Sequence, residues 1–325
     1  MRSILALLLL NFSVSAWAIT PLHFNEAKPA EAFSVLKPLP FGPNFLRFTT
    51  SSTDTYRIGD EWGKIPYSAK DAADPEISKM AKATARVDGG TGFYIGYFGG
   101  KFVMATNHHV CPSEIDCMGV NVRFTALNKS FAIREFYGSW PEVDLALFAI
   151  EVPVMADQAL LNSVASPFNF ASPLYRGQEL ATIGYGVGGN PARQLVVNQD
   201  TDCIVFSDKN EFRLMADPDD LNPGPYKAWS FANGCDVSHG DSGSAMIDRN
   251  TGEVVGIIWT GRIPKSEKVQ HSDYLNNLLQ TPTEDVWKEL SYAVPAFKIG
   301  EYLGELLTSG TLEPSTAAVL EDILN

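Results

Sequence analysis

From about Ala83 onward the chain is built of short apolar or alternating runs: "GFYIGYF", "KFVMAT", "VNVRFTAL", "DLALFAI", "ELATIGYG", "RQLVVNQD", "CIVF", "SAMID" and "EVVGIIWTG". Gly, Pro and Asn punctuate them, so each run predicts a short strand and the series predicts an all-β sandwich or barrel. Helical patterning is confined to "TPTEDVWKELSYAVPAFKIGEYLGELLTSG", where Thr283 offers a cap for a helical start, Pro295 interrupts it, and Gly310 finishes a second amphipathic run. Residues 19 to about 75 are different, rich in Pro, Ser, Thr and Asp with little periodicity. They predict an extended leader or propeptide wrapping a domain. The expected division is a leader over 19–75, a β domain over 76–305 and a helical tail over 306–325, without solenoid repeats or low-complexity tracts.

The amino terminus carries its own pattern. Arg2 precedes an apolar run from Ile4 to Leu10, and small residues lead to Ala16, Trp17 and Ala18. This predicts a secretory signal peptide over residues 1–18, cleaved after Ala18. The run is shorter than the roughly 20 apolar residues a spanning helix needs, and no later segment is longer, so no membrane anchor is expected. The mature chain would be secreted or periplasmic.

Removing 18 residues from 325 leaves 307, enough for one large domain or two modest ones, and the 45% hydrophobic content suits a globular core. Loss of Arg2 takes the net charge from −13 to −14, which argues against nucleic acid or an anionic membrane as partner. Four cysteines in an exported chain form an even set able to close as two disulfides. They lack the paired C-x-x-C spacing of a zinc site, and neither a metal nor another cofactor is expected.

One stretch invites a chemical reading. In "CDVSHGDSGSAM", residues 235–246, a serine sits between Asp241 and Gly243 ahead of an apolar run. The plain reading is a turn entering a strand. The sharper one makes Ser242 a nucleophile, with the amides of Gly240 and Ser242 facing a developing oxyanion. A serine hydroxyl then needs a base, and the base needs an orienting group. Of five histidines, His23 lies in the leader, His271 in a polar loop, and His239 is too near Ser242 to reach back. His108 and His109 remain, at the end of the strand in "MATNHHV". Asp144 opens the otherwise apolar "DLALFAI", where an unpaired carboxylate would be costly to bury and a histidine would offset that cost.

"GTGFYIG", "ATNHHV", "DLALF", "GYG" and "GDSGSAM", in that order over residues 90–246, resemble the chymotrypsin-like serine peptidases, especially bacterial trypsin-like and glutamyl-endopeptidase-like members. With "VVGIIWTG" and "SYAVPAF", the resemblance covers roughly residues 80–305. It implies two six-stranded antiparallel β-barrels with a C-terminal helix, a cleft between barrels, and an endopeptidase acting on protein or peptide substrates through an acyl-enzyme. The family's T-N-x-H-V pattern selects His109 as base, with Asp144 and Ser242 completing the triad and Gly240 and Ser242 the oxyanion hole. His239, Trp259 and Gly261 would line the substrate pocket, and Asp236, six residues before Ser242, would sit at its base and read Arg or Lys.

Departures from the pattern matter too. Ile258 precedes Trp259 where glutamyl endopeptidases carry histidine, and Val237 replaces their threonine, which argues against glutamate specificity. The expected disulfides are Cys111–Cys117, just after the histidine, and Cys203–Cys235, bracing the loop that leads to Ser242. Asp241 would pair with a new amino terminus released by a cut between Arg57 and Ile58 in "YRIGDEW". The other readings of the same residues are a silent protease-fold binding module and a serine esterase. "ADPDDLNPG", residues 216–224, reads as a solvated acidic turn in preference to a calcium loop, and "NKS", residues 128–130, as a glycosylation sequon only in a glycosylating host.

Overall fold

A computed structural model describes residues 53–68, 74–190, 192–220 and 225–325. The expected signal peptide, leader residues 19–52 and positions 221–224 of the acidic stretch lie outside the described residues.

Strands β2 (Thr84–Val87), β3 (Gly90–Phe98), β4 (Lys101–Thr106), β5 (Asn121–Phe124), β6 (Lys129–Trp140) and β7 (Leu145–Ile150) close into an antiparallel barrel in the order β2-β3-β4-β7-β6-β5. The unbroken apolar run of β7 has a simple cause. Ala146, Phe148 and Ile150 join a core cluster with Tyr94, Met104, Val122 and Phe124, while Leu145, Leu147 and Ala149 belong to the larger cluster shared with the rest of the molecule. A strand buried on both faces loses the usual apolar–polar alternation.

The second sheet runs β1-β9-β8-β12-β13-β14-β11-β10. Its members are β1 (Lys64–Pro66), β8 (Leu180–Gly184), β9 (Val196–Asn198), β10 (Arg213–Met215), β11 (Ala228–Asn233), β12 (Ala245–Asp248), β13 (Val254–Gly261) and β14 (Ser291–Pro295). Residues 203–206 draw β8 and β11 together. The Leu180 amide donates to Cys203 O at 2.9 Å and the Phe206 amide to Ala232 O at 2.9 Å. The closed barrel and this eight-stranded sheet make up a chymotrypsin-like fold, and the segment before the domain contributes β1 to the edge of the second sheet by pairing Lys64 with Asn198.

Two sequence expectations change. Residues 291–295 were expected within an interrupted helix, yet "SYAVP" is strand β14, buried throughout and paired with β11 and β13. Thr283 does cap, but only the 3₁₀ turn Glu284–Trp287, before the chain returns to the sheet. Helix also forms well before the carboxy terminus, as α1 (Pro75–Ala83), α2 (Glu114–Met118), α3 (Met155–Asn162) and α4 (Ser272–Gln280). For α1 the sequence carried the signal: Asp74 accepts from the Glu76 and Ile77 amides, and Pro75 occupies the first turn. Helices α5 (Ala296–Ser309) and α6 (Pro314–Leu324) close the chain, with Ile299, Leu303, Val319 and Leu320 in the large core. Gly310 ends α5 with φ of +65°, as a left-handed cap.

Both disulfides pair as expected, Cys111 with Cys117 and Cys203 with Cys235. The second spans 32 residues and joins the segment at 203–206 to the start of the loop after β11. Replacing both cysteines, Cys203→Ala with Cys235→Ala, is expected to lower the unfolding free energy by about 3–4 kcal/mol through loop-closure entropy. Urea denaturation measures it, and a loss under about 1 kcal/mol would contradict that role for the crosslink.

Candidate active site

Barrel register brings the first pair together. Thr106 at the end of β4 lies opposite Ala146 in β7, so the turn after β4 faces the residue before β7. The Asn107 amide group reinforces this by donating to Asp144 O at 2.9 Å. Asp144 adopts a left-handed backbone, φ +36° and ψ +48°, which is rare for a non-glycine residue and carries strain. That conformation turns its carboxylate, fully buried, onto His109. The His109 amide donates to Oδ1 at 3.1 Å and Nδ1 to Oδ2 at 2.8 Å. An ionised carboxylate only accepts, so the Nδ1–H tautomer is the one this geometry selects, leaving Nε2 as the basic nitrogen. Burial works against the protonated imidazole, but the charge and hydrogen bond of Asp144, with Asp217 behind, lift its pKa above the ordinary value.

His108 points elsewhere. Its Nδ1 lies 2.6 Å from Ser139 Oγ, its ring stacks near Tyr226, and burial drives its pKa down to about 4 despite the Asp144 charge. It is a neutral packing histidine at neutral pH.

The Ser242 loop is held from the first barrel. Thr91 of β3 donates through its amide to Ser242 O at 2.8 Å and through Oγ1 to Gly240 O at 2.7 Å, while the Tyr185 amide donates to Thr91 Oγ1 at 3.0 Å. Gly90 marks how close the two halves come, because a Cβ there would lie 2.7 Å from Val110 Cγ2 and 3.0 Å from Ser242 O. Val110 follows His109 directly, so histidine turn and serine loop flank the same glycine. Gly243 is required on two counts: its φ is +86°, and a Cβ would fall 2.0 Å from Thr91 O.

Amide orientation in this loop is specific. The Asp241 and Ser244 amides close turns within it and the Gly243 amide donates to Ile258 O, whereas among the described residues the Gly240 and Ser242 amides donate to no backbone carbonyl. The His239 carbonyl accepts from the Val187 amide at 2.9 Å. Because carbonyl and N–H point oppositely across a trans peptide, that bond turns the Gly240 N–H away from Val187. Gly240 itself has φ of +94°.

The expected pocket residues fare differently. Asp236 is fully buried, and both its oxygens are occupied: Oδ1 by the Ile58 amide at 2.6 Å and Oδ2 by the Gly63 amide at 2.7 Å. The reading of Asp236 as the group that selects Arg or Lys is therefore corrected, since its donors come from the segment before the domain. Burial raises its pKa to about 6, while those amides oppose the rise. Trp259 is buried and donates from Nε1 to Ser230 Oγ at 2.9 Å. A Cβ on Gly261 would lie 3.1 Å from Lys265 Nζ, a buried ammonium that donates to Ser291 Oγ and Leu290 O. Burial pushes that lysine down to about 7.

The described part of the acidic stretch, residues 216–220, is half-buried where a solvated turn was expected. Asp217 accepts from Thr260 Oγ1 at 2.5 Å, and Asp219 lies 3.5 Å from His239 Nε2. Burial raises both carboxyls, Asp219 to about 7. His239, itself in the serine loop, thus faces the acidic segment, with its own pKa lowered by burial. Sequence reasoning missed Lys64, Lys265, Asp217 and Tyr226. Each is placed by long-range pairing, so no local sequence pattern marks them. Asp241 was expected to hold a free amino terminus, and instead it binds the ammonium of Lys64.

Among known families, the model of the trypsin-like peptidase domain matches residues 90–257. No curated protein matches the chain. Similar solved structures include the Rv3671c protease from M. tuberculosis in its active form, 22% identical over 78% of this chain and 92% of that one, with a TM-score of 0.46. Another is the HtrA-type protease AlgW with a decapeptide, 18% identical over 68% of this chain and 52% of that one, with a TM-score of 0.43.

The electrostatics give a testable titration. His109 should titrate above 6.5, and Asp144→Asn should lower its midpoint, as read from imidazole NMR shifts. A histidine whose folded pKa exceeds its unfolded one stabilises the fold fully below about 6.5, and this contribution is lost as pH rises through the raised value. A His109 midpoint unmoved by Asp144→Asn would contradict the assignment.

Proposed function

The chain belongs to the trypsin-like peptidase domain family, and from that membership we propose that it is an exported serine endopeptidase. The observation that carries this reading is the His109–Asp144 pair, with imidazole and backbone amide both on a buried carboxylate. Ser242 Oγ attacks the scissile carbonyl, and His109 Nε2 accepts its proton. Asp144 keeps the proton on Nδ1 and stabilises the imidazolium as it forms. The carbonyl oxygen becomes an oxyanion facing the Gly240 and Ser242 amides, where fixed donors cost no reorganisation. Collapse expels the amine, which takes the proton from His109, and leaves an acyl-enzyme. A water then repeats the sequence with His109 again as base. A binding module that does no chemistry would have no need for a strained Asp144 aimed at a histidine.

Export is part of the same proposal. Two disulfides suit an oxidising compartment, and no helix among the described residues is long and apolar enough to cross a membrane. Residues 1–18 would be the signal that delivers the chain there, to the periplasm or the exterior.

Incubation with a fluorophosphonate followed by peptide mapping should place the label on Ser242 alone. Ser242→Ala should abolish labelling and reduce peptide hydrolysis by roughly four orders of magnitude or more, and Asp144→Asn should lower kcat by about 10⁴. Hydrolysis that survives Ser242→Ala would overturn the assignment.

A further inference from the structure

Lys64 is an unexpected residue to find sealed in a protein, because a lysine ammonium is rarely enclosed without a partner. It is 4% exposed, and its Nζ binds Asp241 Oδ2 and lies 3.2 Å from Ser238 Oγ. Asp241 meets protein donors on both oxygens. Besides Lys64 it accepts from the Ser238 amide at 2.8 Å, from Ser238 Oγ at 2.9 Å and, on its other oxygen, from the Gly186 amide at 3.1 Å. Gly186 has no room for a side chain, because a Cβ would fall 2.2 Å from Asp241 Oδ2 and 2.4 Å from Lys64 Nζ. The Gly188 amide completes the cluster by donating to Ser238 Oγ at 3.1 Å. The loop that bears Gly240 and Ser242 is thus tied at Ser238 and Asp241, one residue from each end of the dipeptide between them.

The cation is delivered by a well-anchored segment. Residues 64–66 add to the sheet through β9, and Ile58 and Gly63 donate to Asp236. The Gly59 amide donates to Val269 O at 2.8 Å, the Lys265 amide donates to Thr55 O at 2.9 Å, and Tyr56 and Ile58 are fully buried. We propose that Lys64 is a positioning residue for the serine site: its ammonium holds Asp241, and through it the Ser238–Ser242 loop, in the reactive shape within one uncut chain. This rests on the peptidase reading above. In the uncut chain the Ile58 nitrogen is bonded to Asp236 and the Lys64 ammonium supplies the counter-charge on Asp241, so the proposal needs no cut after Arg57.

The mechanism of positioning is geometric. With the ion pair intact, the Gly186–Val187 segment after β8 and the Ser238–Asp241 turn are fixed together, which keeps the His239 carbonyl on Val187 and the Gly240 N–H facing away from it. Without the ammonium, Asp241 is a buried carboxylate short of a counter-charge, and the loop relaxes toward solvent to hydrate it. The Gly240 amide then no longer faces the position of the oxyanion. Losing one such donor costs about 10²–10³ in rate, and that sets the scale of the effect.

The test compares full-length wild type with Lys64→Met, which keeps the bulk and removes the charge, and with Arg57→Gln, which resists cleavage at the 57–58 bond. Lys64→Met should lower kcat and the rate of fluorophosphonate labelling at Ser242 about 10²-fold or more, with KM changed far less and near-UV circular dichroism retained. Arg57→Gln should match the wild type, with amino-terminal sequencing showing the 57–58 bond intact in the active protein. Labelling of Lys64→Met at the wild-type rate would overturn the positioning role while leaving the peptidase reading standing. Should Lys64→Met fail to fold, Arg57→Gln still decides: activity found only in chains that begin at Ile58 overturns the proposal. A wild type that never labels overturns the peptidase reading, and this inference with it.

Discussion

A carboxylate taken out of water must be met by donors, and three of them shape this molecule. Asp144, Asp236 and Asp241 are each 1% exposed or less. Every one is answered by groups from a distant part of the chain. Asp144 draws on His109 across the first barrel, Asp236 on the Ile58 and Gly63 amides before the domain, and Asp241 on Lys64 and Gly186. Leaving any of them unanswered would carry the full cost of a buried charge. Satisfying them therefore fixes the histidine, the serine loop and the preceding segment relative to one another.

The rest of the candidate site follows from those anchors. Asp144 can reach His109 because β4 and β7 pair in the register that sets Thr106 against Ala146, and because its own backbone accepts a left-handed strain. Ser242 is presented because Thr91 grips both sides of its loop, and because glycines at 240 and 243 take backbone shapes closed to other residues. The Cys203–Cys235 crosslink adds a covalent tie next to Asp236.

How much of this was legible follows from where the physical signal lies along the chain. The histidine and aspartate each stand at the end of an apolar strand, a local pattern that announces a polar group in an expensive place. The glycines around Ser242 announce a tight turn in the same local way. Lys64 gave no such sign: in "GKIPYS" it reads as an ordinary surface lysine, and only pairing with Asn198 in the second sheet carries it inward. Asp236 kept its expected spacing to Ser242 but not its expected partner, because the amides that fill it come from a segment 178 and 173 residues away in sequence. Strand β14 was read as helix for a related reason. "SYAVP" is buried on both faces between β11 and β13, so its apolar run carries no period of two.

In the proposed mechanism Ser242, His109 and the Gly240 and Ser242 amides form one reactive unit. A crystal structure of the protein with a peptide boronate tests it most directly. The expected result is a tetrahedral boron bonded to Ser242 Oγ, with one boronate oxygen within about 2.7–3.1 Å of both amides and His109 Nε2 within hydrogen-bond reach. A boronate bound to another residue, or one on Ser242 whose oxygens face solvent and touch neither amide, would contradict it.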